Sequence, residues 1–283
     1  MKIGLIGCGR MGAAMAARLG KTGTAPLCWD MNAGARARVA EAGAPVASSP
    51  QAVVEASEMV ILSLPNAAAV NEAMAAVGPA LPPDAIVVDT TTSEPGVSRA
   101  LAAVGAAAGW RFIDAPVSGG PTGARSGLMT MLVGGDEGAL AKVRPDLDRL
   151  AAKIVHVGNS GAGHAAKIAN NMLCAANLSL VAEAVRLAAA AGVAPDKLLE
   201  GINAGSGRSA VSEINFPRWI LSGAFDSGFT MGLMRKDVAL AAALAKDTQT
   251  PIPAFGPIAD LWRGSADTLA DEADFNEIAR AEL

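Results

Sequence analysis

The run Ile3-Gly4-Leu5-Ile6-Gly7-Cys8-Gly9-Arg10-Met11-Gly12 decides how the first half of the chain folds. A short apolar strand is followed by three glycines in G-x-G-x-x-G spacing, and then by the helix-forming stretch Met11–Leu19. Gly7 permits a tight turn, Gly9 lets a pyrophosphate approach the backbone, and Gly12 lets helix and strand pack closely. The helix that opens there presents N–H donors and the positive end of its dipole to an anion. Alone the spacing is a weak signal; its weight comes from its place in the first strand–turn–helix. Gly7, Gly9, Arg10, Met11 and Gly12 are therefore candidate contacts to a dinucleotide.

Working outward, Asp30 closes the second apolar run, Leu27–Trp29, eighteen residues beyond Gly12. A carboxylate there accepts hydrogen bonds from an adenine ribose and repels a 2′-phosphate. Met31 and Asn32 follow it rather than an arginine, which favours NAD over NADP, while Arg36 and Arg38 lie on the next predicted helix. Leu64-Pro65-Asn66 and Asp89-Thr90-Thr91-Thr92 end later strands on the same edge of the sheet, where dinucleotides lie.

The rest of the first half repeats the pattern. Val60–Leu64, Ile86–Val88, Phe112–Ile113, Met129–Val133 and Ile154–Val157 read as strands, and Ala33–Ala42, Pro50–Ala56, Ala67–Val77, Gly96–Ala108 and Glu137–Leu150 as helices. Ser49 before Pro50 is a helix start, with a capping oxygen and a pre-set φ. Short apolar strands alternating with helices predict a parallel sheet covered on both faces, the doubly wound Rossmann arrangement. After Gly161 the strand signals stop. A stretch from Gly163 to Gly192 without proline or internal glycine predicts one helix of about 30 residues, about 45 Å long. Further helices are expected at Ala194–Asn203, Ser212–Leu221, Leu233–Lys246, Pro257–Arg263 and Phe275–Ala281. The reading is an α/β fold of two domains, residues 1–161 for the dinucleotide and an all-α part, 162–283. Packing of a homodimer or homotetramer along the long helix is expected.

Composition narrows the partners. Hydrophobic residues make up 51% of the chain and aromatics 4%, with no Tyr, so alanine-rich helices rather than aromatic clusters fill the core. A net charge of −4 gives no clustered positive field for nucleic acid or an anionic membrane surface. Cys8, Cys28 and Cys174, with His156 and His164, lack metal-ligand spacing, so no metal site is expected. The cysteines read as buried thiols of a reducing compartment. The N-terminal apolar run is broken by glycines and Arg10, and the most apolar helical run, Ile168–Ala182, carries three asparagines; a soluble cytoplasmic protein is expected.

Three further stretches carry the chemistry: Asp114-Ala115-Pro116-Val117-Ser118-Gly119-Gly120 with Gly123-Ala124-Arg125-Ser126-Gly127; Gly161-Ala162-Gly163-His164-Ala165-Ala166-Lys167-Ile168-Ala169-Asn170-Asn171; and Lys236-Asp237. With the glycine turn, in this order, the chain resembles the β-hydroxyacid dehydrogenases, which include 3-hydroxyisobutyrate dehydrogenase and tartronate semialdehyde reductase. The resemblance implies that Lys167 is catalytic and that Ser118, Gly119 and Gly120 hold a substrate carboxylate. It also implies that Asn171 orients substrate and lysine, and that Leu64, Pro65, Thr92 and Lys236 complete the cofactor site. Asp237 falls in the Lys-Asp pair, without a defined role.

The residues support this independently. Hydride transfer from a hydroxyl carbon to nicotinamide needs a group to accept the hydroxyl proton. A lysine serves when desolvation and nearby positive charge bring its ordinary pKa of about 10.4 toward about 7–8. Lys167 and Asn171, four apart, share a helix face. Ser118-Gly119-Gly120 offers one hydroxyl and unhindered backbone N–H groups, a nest for a carboxylate. His164 reads as a helix N-terminal residue rather than a catalyst, and the four tryptophans as packing residues, with Trp219 a possible neighbour of substrate. The partner is thus a small hydroxyacid or semialdehyde. The alternatives are an imine reductase on the same scaffold, which Lys167 argues against, and a non-catalytic dinucleotide-binding protein, which the joint presence of Ser118, Lys167 and Asn171 argues against.

Overall fold

The structure, a computed structural model, describes residues 1–280. Along the first unit run β1 (Ile3–Ile6), α1 (Arg10–Thr22), β2 (Leu27–Trp29), α2 (Ala33–Glu41), α3 (Pro50–Glu55), β3 (Met59–Leu62), α4 (Ala67–Val77), β4 (Ile86–Asp89), α5 (Pro95–Ala108) and β5 (Arg111–Asp114). They are followed by β6 (Val117–Ser118), α6 (Gly120–Ser126), β7 (Met129–Gly134), α7 (Glu137–Leu147) and β8 (Ala151–Gly158). Strands β2, β1, β3, β4 and β5 lie side by side in that order and pair in parallel. The order reverses at β1, with β2 on one side and β3 on the other. Such a switch point opens a crevice at the carboxyl ends of the strands.

Successive strand residues face opposite sides of the sheet, and both sides are dry here. Met59 and Ile61 of β3 join Leu5 and Val88 under helices that contribute Met15, Leu19, Leu140 and Val143. Val60 and Leu62 join Ile6 and Val87 under Val53, Val54, Val70 and Met74. Four consecutive buried residues in β3 thus serve two cores, which is why the strand reads as an unbroken apolar run.

Beyond β5 the sheet becomes mixed. Strand β7 runs antiparallel to β5 and β6, and β8 pairs in parallel with β7. Asp114 pairs with Gly134, Val117 with Met131 and Ser118 with Thr130, one unbroken antiparallel register across Pro116. Strand β6 therefore carries the line of β5 onward and places Ser118 beyond the main sheet. Glycines 119, 120 and 123 with Pro121 read locally as a loop, yet Gly120–Ser126 forms α6, entered through Gly119 at φ 115°. An L side chain rarely adopts that φ. Helix α7 stops at Leu147 rather than Leu150, because Ala151 already pairs with Met129 as β8 begins.

By its internal packing the chain divides inside α8 (Ala162–Ala190), into Met1–Lys167 and a second unit from Ile168; the boundary expected near Gly161 falls at the start of the same helix. The opening turns of α8 belong to the first unit because Gly163 packs on its strands: a Cβ there would strike the Leu132 and Asp114 carbonyl oxygens. Helices α9 (Pro195–Ala204), α10 (Met231–Asp247) and α11 (Gly256–Gly264) follow. Their core gathers Ile168, Leu178, Leu199, Phe216, Met234, Val238, Trp262 and Phe275. The helix expected at Ser212–Leu221 is a π-helix, Val211–Ile220, whose wider turn accommodates Pro217, a residue without an N–H. Phe275–Ala279 is a 3₁₀ turn rather than an α-helix; Ala281, the expected end of that helix, lies outside the described residues.

Candidate active site

At the switch point the glycine turn has the geometry its residues require. Gly7 adopts φ 98° and donates its N–H to Trp29 O at 2.9 Å, and a Cβ on it would collide with the Ser63 carbonyl. A Cβ on Gly12 would strike the Gly7 carbonyl, whereas one on Gly9 would meet nothing within 4 Å. The crowded glycines hold strand and helix together, and the open one faces free space. No side chain caps the N-terminus of α1, so its leading N–H groups face the same space. These features fit a pyrophosphate. The nucleotide end is also built: Asp30 accepts the Cys8 N–H at 2.6 Å on one carboxylate oxygen and the Asn32 N–H at 2.8 Å on the other. Each oxygen keeps acceptor capacity for a ribose. Arg36 donates to the carbonyls of Asp30 and Met31, at 2.5 and 3.2 Å, so the charge expected on the next helix stands beside Asp30. Beneath the turn, Cys28 is pushed well above the ordinary thiol range by its hydrogen bond with Cys8 and by burial, as suits a packing residue.

The two further loops are tied to each other. Leu64 N–H donates to Thr91 Oγ1 at 3.2 Å and Thr90 Oγ1 donates to Leu62 O at 2.7 Å. Leu64 and Thr92 are half-buried and Pro65 is exposed.

At the reacting end, β6 and α8 bring Ser118 and Lys167 together. Lys167 is 6% exposed, and its Nζ donates to Ser118 Oγ at 2.8 Å. A buried lysine that donates to a half-buried hydroxyl is unlike a surface lysine, whose ammonium sits in water. Gly119 and Gly120, both at positive φ, follow Ser118 directly. One turn beyond Lys167 on α8, Asn171 is buried; its Nδ2 donates to Asp237 Oδ2 at 2.5 Å and its Oδ1 accepts from Asn170 at 3.0 Å. Asp237, itself buried, lies 3.2 Å from Lys236 Nζ through its other oxygen. The Lys-Asp pair thus orients the Asn171 amide within the second unit, a role that motif order alone left blank.

Sequence reading missed the groups that hold the start of α8. Asp114, fully buried at the end of β5, accepts the N–H groups of Gly161 at 2.7 Å and His164 at 2.9 Å. A carboxylate in this place caps the helix and meets the positive end of its dipole. Asp89, fully buried at the end of β4, accepts the Thr91 N–H at 3.0 Å. The only signal in the sequence was an aspartate ending two successive strands. Among the described residues no cluster of His, Cys, Asp and Glu could hold a metal. Trp110 and Trp262 are buried as packing residues; Trp219 is half-buried, with the Arg218 guanidinium 5.1 Å from its ring.

The family model for the NAD binding domain of 6-phosphogluconate dehydrogenase matches residues 2–158. That for the NAD-binding domain of NADP-dependent 3-hydroxyisobutyrate dehydrogenase matches residues 161–281. A 2-(hydroxymethyl)glutarate dehydrogenase of Eubacterium barkeri is 37% identical over 93% of this chain and 89% of its own. The chain belongs to the β-hydroxyacid dehydrogenase family. It is an NAD(P)-dependent oxidoreductase acting on CH–OH donors. A structure of Mycobacterium tuberculosis 3-hydroxyisobutyrate dehydrogenase with L-serine superposes with a TM-score of 0.93 at 32% identity, covering 99% of this chain and 98% of that one. An imine reductase of Streptomyces aurantiacus shares the fold, with a TM-score of 0.66 at 21% identity over 99% and 98% of the two chains.

Asp89 of this dehydrogenase gives a pH test. Burial pushes its carboxyl above the ordinary range, and the His164 imidazole opposes that rise. A folded value above the unfolded one means that the group favours the fold at low pH and loses that contribution as pH rises through the folded value. Asp89→Asn removes the titration. Its stability relative to wild type is expected to improve as pH rises above the ordinary carboxylate range of about 4, measured by urea unfolding at each pH. Parallel stability curves for the two proteins would refute the assignment.

Proposed function

We propose that this enzyme catalyses the reversible NAD-dependent oxidation of a short, 3-hydroxyisobutyrate-like β-hydroxyacid, with Lys167 as general acid and base. The observation that carries the reading is the buried Lys167 Nζ at 2.8 Å from the Ser118 hydroxyl, beside Gly119 and Gly120. Ser118 and the two glycine N–H groups take the carboxylate, which leaves the β-hydroxyl toward Nζ. With its pyrophosphate on the glycine turn, NAD would supply the hydride acceptor. Lys167, as the free amine, accepts the hydroxyl proton during oxidation; as the ammonium it returns that proton to the carbonyl oxygen in reduction. Asn171, its amide set by Asp237, orients substrate and lysine, and Leu64, Pro65, Thr92 and Lys236 add contacts to the cofactor. The relatives' names support the substrate class, since 2-(hydroxymethyl)glutarate, 3-hydroxyisobutyrate and L-serine all carry a hydroxyl on the carbon β to a carboxylate.

Lys167→Ala is expected to lower kcat about 10²- to 10⁴-fold, the range for general acid–base groups, with NAD affinity nearly intact. On the wild type, 3-hydroxypropionate or 3-hydroxyisobutyrate should far exceed the matching alcohol without the acid group in kcat/KM, because that alcohol leaves site donors unpaired. Equal efficiency on the neutral alcohol, activity confined to cyclic imines, or a Lys167→Ala enzyme at wild-type kcat would each sink the reading.

Asp30 supports NAD over NADP: a carboxylate at the end of β2, held by two backbone N–H groups, favours a free ribose diol and repels a 2′-phosphate. Arg36 is engaged by two carbonyls. Asp30→Ala should narrow the preference, mainly by weakening NAD, in kcat/KM measured with both cofactors. A wild-type preference for NADP would overturn this choice.

The same reading assigns a homodimer or homotetramer. Helix α8 is long and apolar enough to cross a membrane by length and composition, and it leaves Leu173, Leu180 and Leu187 exposed at seven-residue spacing. Seven residues return to nearly the same helix face, so the three form one stripe. Packing this stripe on a second copy explains an apolar surface that no substrate needs. Sedimentation equilibrium should show a dimer or tetramer that Leu180→Glu weakens; a wild-type monomer would contradict it.

A further inference from the structure

His164 is fully buried, lies three residues before Lys167, and takes no part in the proton transfer proposed above. A buried imidazole needs partners for both ring nitrogens, and this one has them. Nε2 lies 2.7 Å from the Thr91 carbonyl oxygen, and Nδ1 lies 2.7 Å from Ser98 Oγ. A carbonyl only accepts, so Nε2 carries the hydrogen and donates it. Nδ1 pairs with the Ser98 hydroxyl, so both ring nitrogens are satisfied. The His164 N–H is bound by Asp114. Backbone and ring are thus fixed at once, one on β5 and the other on the loop after β4.

That loop is the one carrying Thr92, and it is bound in turn to the loop after β3 through Leu64 N–H and Thr91 Oγ1. The bonds form one path: Leu64 to Thr91, Thr91 to His164, and one helical turn from His164 to Lys167. Asp89 stands behind the path. Its Oδ1 accepts the Thr91 N–H, while its Oδ2 lies 3.8 Å from His164 Nε2 and has no hydrogen-bond partner among the described residues. Two buried carboxylates, one imidazole and a threonine are a costly set of groups to place in a core. Packing alone would be served as well by a leucine.

We infer that His164 is a positioning residue, which ties the loop that carries Thr92, assigned above to the cofactor, to the helix turn that carries Lys167. The assignment rests on Lys167 as the proton-transferring group. Loop and lysine must keep register because hydride and proton leave the same substrate carbon–oxygen unit, and a misplacement of about 1 Å costs about 100-fold in rate. The bond that matters is Nε2–H to Thr91 O, and a glutamine amide reproduces it.

The test compares His164→Leu, His164→Gln and Lys167→Ala by steady-state kinetics with NAD and 3-hydroxypropionate. His164→Leu should lower kcat by about 10- to 100-fold and raise KM for NAD, with KM for the hydroxyacid unchanged. His164→Gln should return kcat to within a few-fold of wild type. A leucine variant at wild-type kcat, or a glutamine variant as impaired as the leucine one, would overturn the inference. A second measurement uses the unaltered enzyme, should the leucine variant not fold. The chain has two histidines, so ¹⁵N spectra of the imidazoles contain two rings, and His156→Gln assigns them. NAD saturation should shift the His164 Nε2–H signal, and an unmoved signal would overturn the inference. If Lys167→Ala keeps full activity, the functional reading itself fails; if Lys167→Ala is inactive and His164→Leu is not, only the positioning role fails.

Discussion

The first turn of α8 depends on a buried carboxylate. Asp114, at the last position of β5, takes two of the N–H groups that an α-helix leaves unpaired at its start. Those groups are buried against the strands through Gly163, where no side chain would fit, so water does not satisfy them. An unmet buried N–H costs about 1–3 kcal/mol, and two of them would displace the turn. With the turn held, Lys167 projects to the end of β6 and meets Ser118. The placement of the proton-transferring group thus begins with a residue that touches neither substrate nor cofactor.

The same economy runs through the sheet. Its strand order reverses at β1, so the turn after β1 and the loops after β3 and β4 open on one edge. The glycine turn needs that edge because Gly7 and Gly12 are packed against backbone and only Gly9 faces open space. Strands buried on both faces make the edge rigid: residues of β3 alternate between two separate cores. A site of loops held on such a sheet keeps its geometry while the loops vary.

Much of this was legible in the chain. The apolar runs gave every strand of the main sheet because parallel strands buried on both faces cannot hide their composition. The glycine spacing, Asp30, Ser118, Lys167 and Asn171 were legible because each belongs to a motif whose chemistry is local. What escaped depends on distant partners. Strand β6 has two residues and is defined only by pairing with β7; α6 lies among glycines and a proline that locally favour a turn. The π-helix follows from Pro217 inside an otherwise regular pattern. His164, Asp89 and Asp114 lie 50 to 75 residues from one another or in different strands, and no spacing rule joins them. A buried polar network is a tertiary fact, visible once the strands stand side by side.

The most direct test of the account is a crystal structure of the wild-type enzyme with reduced cofactor and 3-hydroxypropionate, a complex that has no hydride acceptor and cannot turn over. The account predicts the carboxylate on Ser118, Gly119 and Gly120, and the β-hydroxyl within about 3 Å of Lys167 Nζ, the reach of a proton-transferring group. A hydroxyl turned away from Lys167, or a carboxylate bound elsewhere, would contradict it.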